Sequence, residues 1–191
     1  MKELLTARLR IRRFAREDLA SVARLLDGCF GPATLDVRRE WLEWAVRNYS
    51  ALEQLGQPPY GDYAISLLDG GTVIGSIGLV PSFGPFGKLP SLQSSSTRNA
   101  NLFRPEMGLF WAIDPKHHGQ GYATEAAKTM ADFAFGQLHV ERLVATTEHD
   151  NFASIGVMKR LGMTIERNPD PEPQWFQTIG VLFNPKSSRS S

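Results

Sequence analysis

Trp111-Ala112-Ile113-Asp114-Pro115-Lys116-His117-His118-Gly119-Gln120-Gly121-Tyr122-Ala123-Thr124-Glu125-Ala126 is the stretch that decides how this chain is read. An apolar strand ends, a proline turns the chain, two glycines follow, and an alanine-rich helix begins. The glycines let the backbone come close to a ligand. The first N–H groups of a helix have no intrahelical partners, and the helix dipole favours negative charge there. A pyrophosphate is the natural guest. The alternative is a tight strand-to-helix turn whose glycines serve packing only.

Two other phosphate motifs fail. A P-loop needs Gly-x-x-x-x-Gly-Lys-Ser/Thr, and the chain has no such run. A dinucleotide fingerprint wants a further Gly or Ala where this chain has Glu125, or Thr124 on a looser count. It also belongs early in a repeated βαβ chain, whereas this motif lies past the midpoint.

The pattern outward from the loop is mixed α/β. Downstream, Ala123, Ala126, Ala127, Met130, Phe133 and Ala134 form one apolar stripe, which predicts a helix over 121–138. A strand over 142–147 and a short helix over 151–161 follow, the helix stopping at Gly162. Strands over 163–166 and 175–183 close the chain around a Pro-rich turn at 169–173. Upstream, a strand is expected over 107–113, and strands over 62–68 and 72–80 are joined by Asp69-Gly70-Gly71, a hairpin signal. Helical spacing marks 18–30 and 36–55, and alternation marks a strand over 8–14. Residues 81–105 hold four prolines, two glycines and Ser94-Ser95-Ser96. They read as a long loop insert, functional or without fixed structure. One domain over 1–185 is expected, with 186–191 as a disordered tail.

Composition narrows the classes. The 191 residues are 42% apolar and 21% charged, as in a globular protein. The 21 basic and 20 acidic residues nearly cancel, so a basic footprint for nucleic acid is absent at the whole-chain level. A single cysteine, Cys29, excludes an intramolecular disulfide framework and fits a reducing cytoplasm. No run resembles a signal peptide or reaches the ~20 apolar residues that span a bilayer. A cytoplasmic protein without membrane contact is the expectation.

The loop resembles the Gln/Arg-x-x-Gly-x-Gly/Ala signature of the GNAT N-acetyltransferase superfamily, matched here by His118, Gly121 and Ala123. Ile113-x-Pro115 is similar to the family's strand end. Asn151-Phe152-Ala153-Ser154, running on to Lys159-Arg160-Leu161-Gly162-Met163, resembles the Asn-x-x-Ser…Lys-Leu-Gly-Phe block of the RimJ/RimL-like branch, whose namesakes acetylate N-termini of ribosomal proteins. Two motifs in the right order are far more specific than either alone. Two positions depart: His118 stands where Gln, Arg or Trp is usual, and Met163 replaces Phe.

The resemblance implies a single α/β (α+β) domain. Its central sheet is mixed and mostly antiparallel, six- to seven-stranded, with about four helices and a splayed gap between two central strands. It implies acetyl-CoA as co-substrate, an amine acceptor (a protein N-terminus or a small molecule), and a homodimer. It also implies roles. Trp111, Ala112 and Ile113 would pair with the pantetheine arm. His118, Gly119, Gln120, Gly121, Tyr122 and Ala123 would hold the pyrophosphate. Asn151 would bond the pantetheine, a role that coexists with a helix N-cap, and Ser154 would lie near the thioester sulfur.

Acyl transfer needs a neutral amine, donors for the oxyanion and a proton for the leaving thiolate. A backbone N–H near Leu109 to Trp111 is the oxyanion candidate, and Ser154 the candidate to stabilise or protonate the thiolate. Glu106, at the start of the central strand, is the candidate base, with a surface charge as its alternative reading; Glu148, His149 and Asp150 are weaker candidates. His117 and His149 lack metal-ligand spacing, so no metal is expected. His139 reads as a helix-end residue. Cys29 reads as a buried apolar residue rather than an acyl carrier, so direct transfer in a ternary complex is expected. Trp41, Trp44, Tyr49, Tyr60 and Phe83 line either the core or an acceptor pocket. Glu40, Glu43 and Glu53 supply either acidic pocket walls or a solvated helix face. The functional expectation is an acetyl-CoA-dependent N-acetyltransferase. Its alternatives are a non-catalytic CoA-binding domain and a transferase of longer acyl groups.

Overall fold

β1 (Leu4–Leu5) is followed by β2 (Leu9–Arg12), where Leu9 and Ile11 alternate with arginines and are fully buried. α1 (Leu19–Phe30) and α2 (Leu35–Gln54) come next. The Thr34 hydroxyl starts α2 by accepting the Val37 N–H at 3.4 Å. β3 (Gly61–Leu67) and β4 (Val73–Gly84) form the hairpin that Asp69-Gly70-Gly71 foretells. β5 (Arg104–Ile113), α3 (Tyr122–Gly136), β6 (Arg142–Thr147), α4 (Phe152–Arg160), β7 (Thr164–Arg167) and β8 (Thr178–Phe183) complete the chain. The computed structural model describes residues 1–93 and 99–187; the Ser94-Ser95-Ser96 run and residues 188–191 lie outside these.

Two units are distinguished, Met1–Val80 with Phe110–Met130 and Pro81–Leu109 with Ala131–Ser191. In the first, β1 to β4 pair antiparallel in sequence order, with Leu4 opposite Ile11, Ile11 opposite Ile65 and Tyr63 opposite Ile77. The Asp114 N–H reaches the Ile74 carbonyl at 2.8 Å, just past the end of β5. Phe14, Val22, Leu26, Leu42, Ala64 and Val73 make its core, with Trp41 packed against them. In the second, β8 pairs antiparallel with both β6 and β7, and β5 joins β6 in parallel at Gly108 and Val144. Its core is Phe86, Leu89, Val144, Phe176, Ile179 and Val181. The strand order is β1-β2-β3-β4-β5-β6-β8-β7.

Two expectations are corrected. The sheet has eight strands rather than six to seven; the extra one, β1, is two residues long, too short for alternation to reveal. The segment expected as a loop over 81–105 is shorter and largely anchored. β4 runs on to Gly84, β5 begins at Arg104, and short 3-10 turns occupy Phe86–Lys88 and Pro90–Leu92. Phe86 and Leu89 are fully buried, and Phe86 meets Phe176 edge-on at 5.2 Å. Burying two such side chains contributes about 3–6 kcal/mol, which outweighs the weak local periodicity. Of the tail expected over 186–191, the Lys186 and Ser187 N–H groups donate to the side-chain and main-chain oxygens of Asn184, and the rest lies outside the described residues. No helix among the described residues is long and apolar enough to cross a membrane.

Candidate active site

In the first unit, the strand-to-helix loop is built by its buried acid. Asp114 is almost fully buried and accepts the Lys116 N–H at 3.0 Å, which closes the 3-10 turn Pro115–His117. Arg24 of α1 donates to its other oxygen at 3.0 Å. Burial alone would raise the Asp114 pKa, but the Lys116 amide and the Arg24 guanidinium together hold it below the ordinary value. Gly119 and Gly121 follow with φ of 76° and 81°, a left-handed conformation that side chains resist. α3 then opens: its first hydrogen bond runs from the Glu125 N–H to the Gly121 carbonyl at 3.0 Å. Gly121 has no side chain with which to cap the turn. The loop therefore offers main-chain donors and a positive dipole end, the arrangement that suits a phosphate.

The side chains around this loop were not all foreseen. His118 occupies the first signature position, but its Nε2 donates to the Ile113 carbonyl at 2.8 Å, so the ring is engaged by the end of β5. Arg8 comes from the residue before β2. Its Nε donates to Glu125 at 2.7 Å, its Nη2 lies 2.6 Å from the same carboxylate, and its Nη1 donates to the Gln120 carbonyl at 3.0 Å. The guanidinium carbon stands 4.5 Å from the centre of the Tyr122 ring. The Thr6 hydroxyl and the Arg8 backbone N–H donate to the other Glu125 oxygen at 2.5 and 3.1 Å. Burial would raise the Glu125 pKa, but the Thr6 hydroxyl, then the Arg8 side chain and N–H, bring it below the ordinary value. Glu125 was legible as a first-turn acid, whereas its partners lie more than a hundred residues away in sequence.

Cys29 is half-buried, and its Sγ donates to the Ile113 carbonyl at 3.3 Å. Burial, then the Asp114 charge, pushes the thiol up, away from the thiolate that an acyl carrier requires. Trp41 packs on the core, edge-on to Phe14 at 5.4 Å, and Tyr49 is buried with its hydroxyl donating to the Asp62 carbonyl at 2.6 Å. These two aromatics are core, whereas Trp44 is 57% exposed. Glu43 pairs with Arg47 and Glu53 with Arg13 at the surface.

In the second unit, Asn151 caps α4: its side-chain oxygen accepts the Ser154 N–H at 3.0 Å. Its side-chain amide nitrogen makes no hydrogen bond among the described residues. The Ser154 hydroxyl makes no hydrogen bond among the described residues. Glu106 is not a surface charge. Its side chain is 7% exposed, and both oxygens receive hydrogen bonds from Arg142, at 2.8 and 2.7 Å. His149 is held at Gln177 and Thr178, its Nδ1 lying 2.9 Å from the Thr178 hydroxyl. Phe83, foreseen as an alternative pocket residue, is exposed on β4. His139 takes a left-handed φ of 55° just after α3, where a helix end unwinds.

The chain matches the Acetyltransferase (GNAT) domain family over residues 8–164. It is 36% identical over 56 residues to the uncharacterized N-acetyltransferase YnaD of Bacillus subtilis (strain 168), a match covering 29% of this chain and a third (33%) of that protein. It is 33% identical over 54 residues to spermidine N(1)-acetyltransferase of Escherichia coli (strain K12), covering 28% of this chain and 29% of that one. The crystal structure of ribosomal-protein-S5-alanine acetyltransferase from Vibrio fischeri superposes with a TM-score of 0.68 at 12% identity, over 97% of this chain and 98% of that one. With the family match running from the Arg8 clamp through the glycine loop and α4 to the first residue of β7, the chain belongs to the GNAT acetyltransferase family and is an N-acetyltransferase, of a kind that draws its acyl group from acetyl-CoA.

Proposed function

We propose that this enzyme transfers the acetyl group of acetyl-CoA to a primary amine by direct attack in a ternary complex. The observation that carries the donor reading is the start of α3 behind two left-handed glycines, Gly119 and Gly121, which have no side chains to cap it. In this reading His118, Gly119, Gln120, Gly121, Tyr122 and Ala123 form the pyrophosphate segment, mostly through main-chain N–H groups. Trp111, Ala112 and Ile113 offer strand edges to the pantetheine arm, entering the splayed gap that the family resemblance implies. Asn151 donates its free amide to the pantetheine while its oxygen caps α4.

The amine must be neutral to attack, and a free amine titrates near ~10. Its nitrogen bonds the acetyl carbon, the carbon–sulfur bond breaks, one proton leaves the nitrogen and one reaches the thiolate. Ser154, whose hydroxyl has no partner among the described residues, is the proposed donor to the sulfur. Glu106 is the proposed proton acceptor, directly or through water. A carboxylate has about four acceptor positions, and Arg142 takes two, fixing the group without exhausting it.

The acceptor is proposed as a small polyamine or a peptide N-terminus. Spermidine is what the Escherichia coli relative acetylates by its name, and the fold is shared with an acetyltransferase named for ribosomal protein S5. A cytoplasmic setting and a homodimer belong to the same proposal.

The test is thiol release from acetyl-CoA in the presence of spermidine, and separately of alanine- and serine-initiated peptides. Amine-dependent release with one class is expected, and Glu106→Gln should lower kcat at least about tenfold. Tight CoA binding with no release on any amine would point to the binding-module alternative. An unaltered kcat in a folded Gln variant would reduce Glu106 to the ion pair.

A further inference from the structure

The family signature begins with a side chain that carries an amide or a positive charge, yet His118 spends its Nε2 proton on the Ile113 carbonyl. A different cation stands at the loop. Arg8 Nη2 lies 3.5 Å from the point that a Cβ on Gly121 would occupy. Its guanidinium is clamped on one edge by Glu125, bonded to the Gln120 carbonyl and laid over the Tyr122 ring. All of these partners belong to the loop or to the first turn of α3.

Arginine carries five N–H donors in a fixed fork. Those contacts leave an N–H on each of Nη1 and Nη2 without an acceptor among the described residues, and the side chain is 47% exposed. An arginine held in this way is pre-ordered for a second, bidentate anion, and phosphate oxygens match its fork. Glu125 fits the same account. Alone, a carboxylate in the first turn of α3 would repel a phosphate arriving there; bonded to Arg8 it is neutralised and serves as the bracket that aims the guanidinium.

We propose that Arg8 is a phosphate-binding residue of the donor site, contacting the pyrophosphate of CoA beside Gly121, where the His118 Nε2 is already engaged by the Ile113 carbonyl. This rests on the reading of residues 118–123 as the pyrophosphate loop. Thr6 and Glu125 are positioning residues that act through Arg8.

The test is calorimetric titration of CoA into the wild type, Arg8→Gln and Arg8→Lys, paired with steady-state kinetics on acetyl-CoA and on S-acetylpantetheine, which lacks every phosphate. Gln retains amide donors toward Glu125 and protects the fold, and thermal melting of each variant checks it. Arg8→Gln should weaken CoA about tenfold and raise KM for acetyl-CoA in step, with kcat within about twofold and S-acetylpantetheine kinetics unchanged. Arg8→Lys should recover part of the loss, since it keeps the charge but not the fork. The proposal is overturned if the wild type binds CoA and a folded Arg8→Gln binds it within about twofold. It is equally overturned if the loss is as large with S-acetylpantetheine. Absence of CoA binding by the wild type would instead bring down the reading of the loop itself.

Discussion

Two helices in this enzyme begin shortly after strands, and they finish their first turns differently. α4 closes its own start: the Asn151 oxygen takes the Ser154 N–H. α3 starts on Gly121, which has no side chain to do this, and it is framed by Arg8, Glu125 and Asp114 instead. A helix start capped from within has little to offer an external anion. One that starts on a glycine and is flanked by a cation is suited to one. The comparison separates the proposed labour: main-chain donors at α3 take the phosphates, and side chains at α4 face the thioester.

Installing at α3 what α4 already has should produce the largest effect. Gly121→Asp places a capping carboxylate at a left-handed position where phosphate is expected. KM for acetyl-CoA should rise about 100-fold, ~2.7 kcal/mol, with a smaller change in melting temperature. A variant that kept its KM would break the contrast between the two helix starts.

Ser154→Ala comes next. If the α4 start serves the sulfur, kcat should fall about tenfold or more while KM for acetyl-CoA stays within about threefold. A rise in KM alone would move Ser154 from chemistry to binding.

Asn151→Ala removes the cap and should cost about 1 kcal/mol of stability, seen as a lower melting temperature. A weaker affinity for CoA in addition would support the second duty of its amide.

The smallest effect concerns the frame of α3. Glu125 has a folded-state pKa below its ordinary value, so its contribution is fully present above the ordinary carboxylate value of ~4.3. That contribution is lost as pH falls through the depressed folded-state value. Because Arg8 is half-exposed, the contribution should be at most about 1 kcal/mol. Melting temperatures followed from pH 7 down to 3 should converge for the wild type and Glu125→Gln at the acid end.

Much of this fold is legible because its periodicities are clean. Leu9 and Ile11 mark β2, the alanine stripe marks α3, and Asp69-Gly70-Gly71 marks the hairpin. What escaped has physical causes. β1 is too short to alternate, and Phe86 and Leu89 are fixed by a core that includes Phe176, far along the chain. The glycine loop could be read locally because main-chain conformation does its work. Its supporting ion pairs could not, since Arg8 with Glu125 and Arg24 with Asp114 join residues that only the fold brings together; the same holds for Arg142 with Glu106 in the second unit. The amine acceptor is the least legible part, because the residues that select it need no motif.

The central claim is that the start of α3 receives the pyrophosphate of acetyl-CoA. Amide chemical shifts followed by NMR while CoA is titrated into the folded enzyme test it most directly. The account predicts saturable shifts that are largest at the amides of Gly119, Gln120, Gly121, Tyr122 and Ala123. CoA binding that leaves those five amides unmoved, or no binding at all, would contradict it.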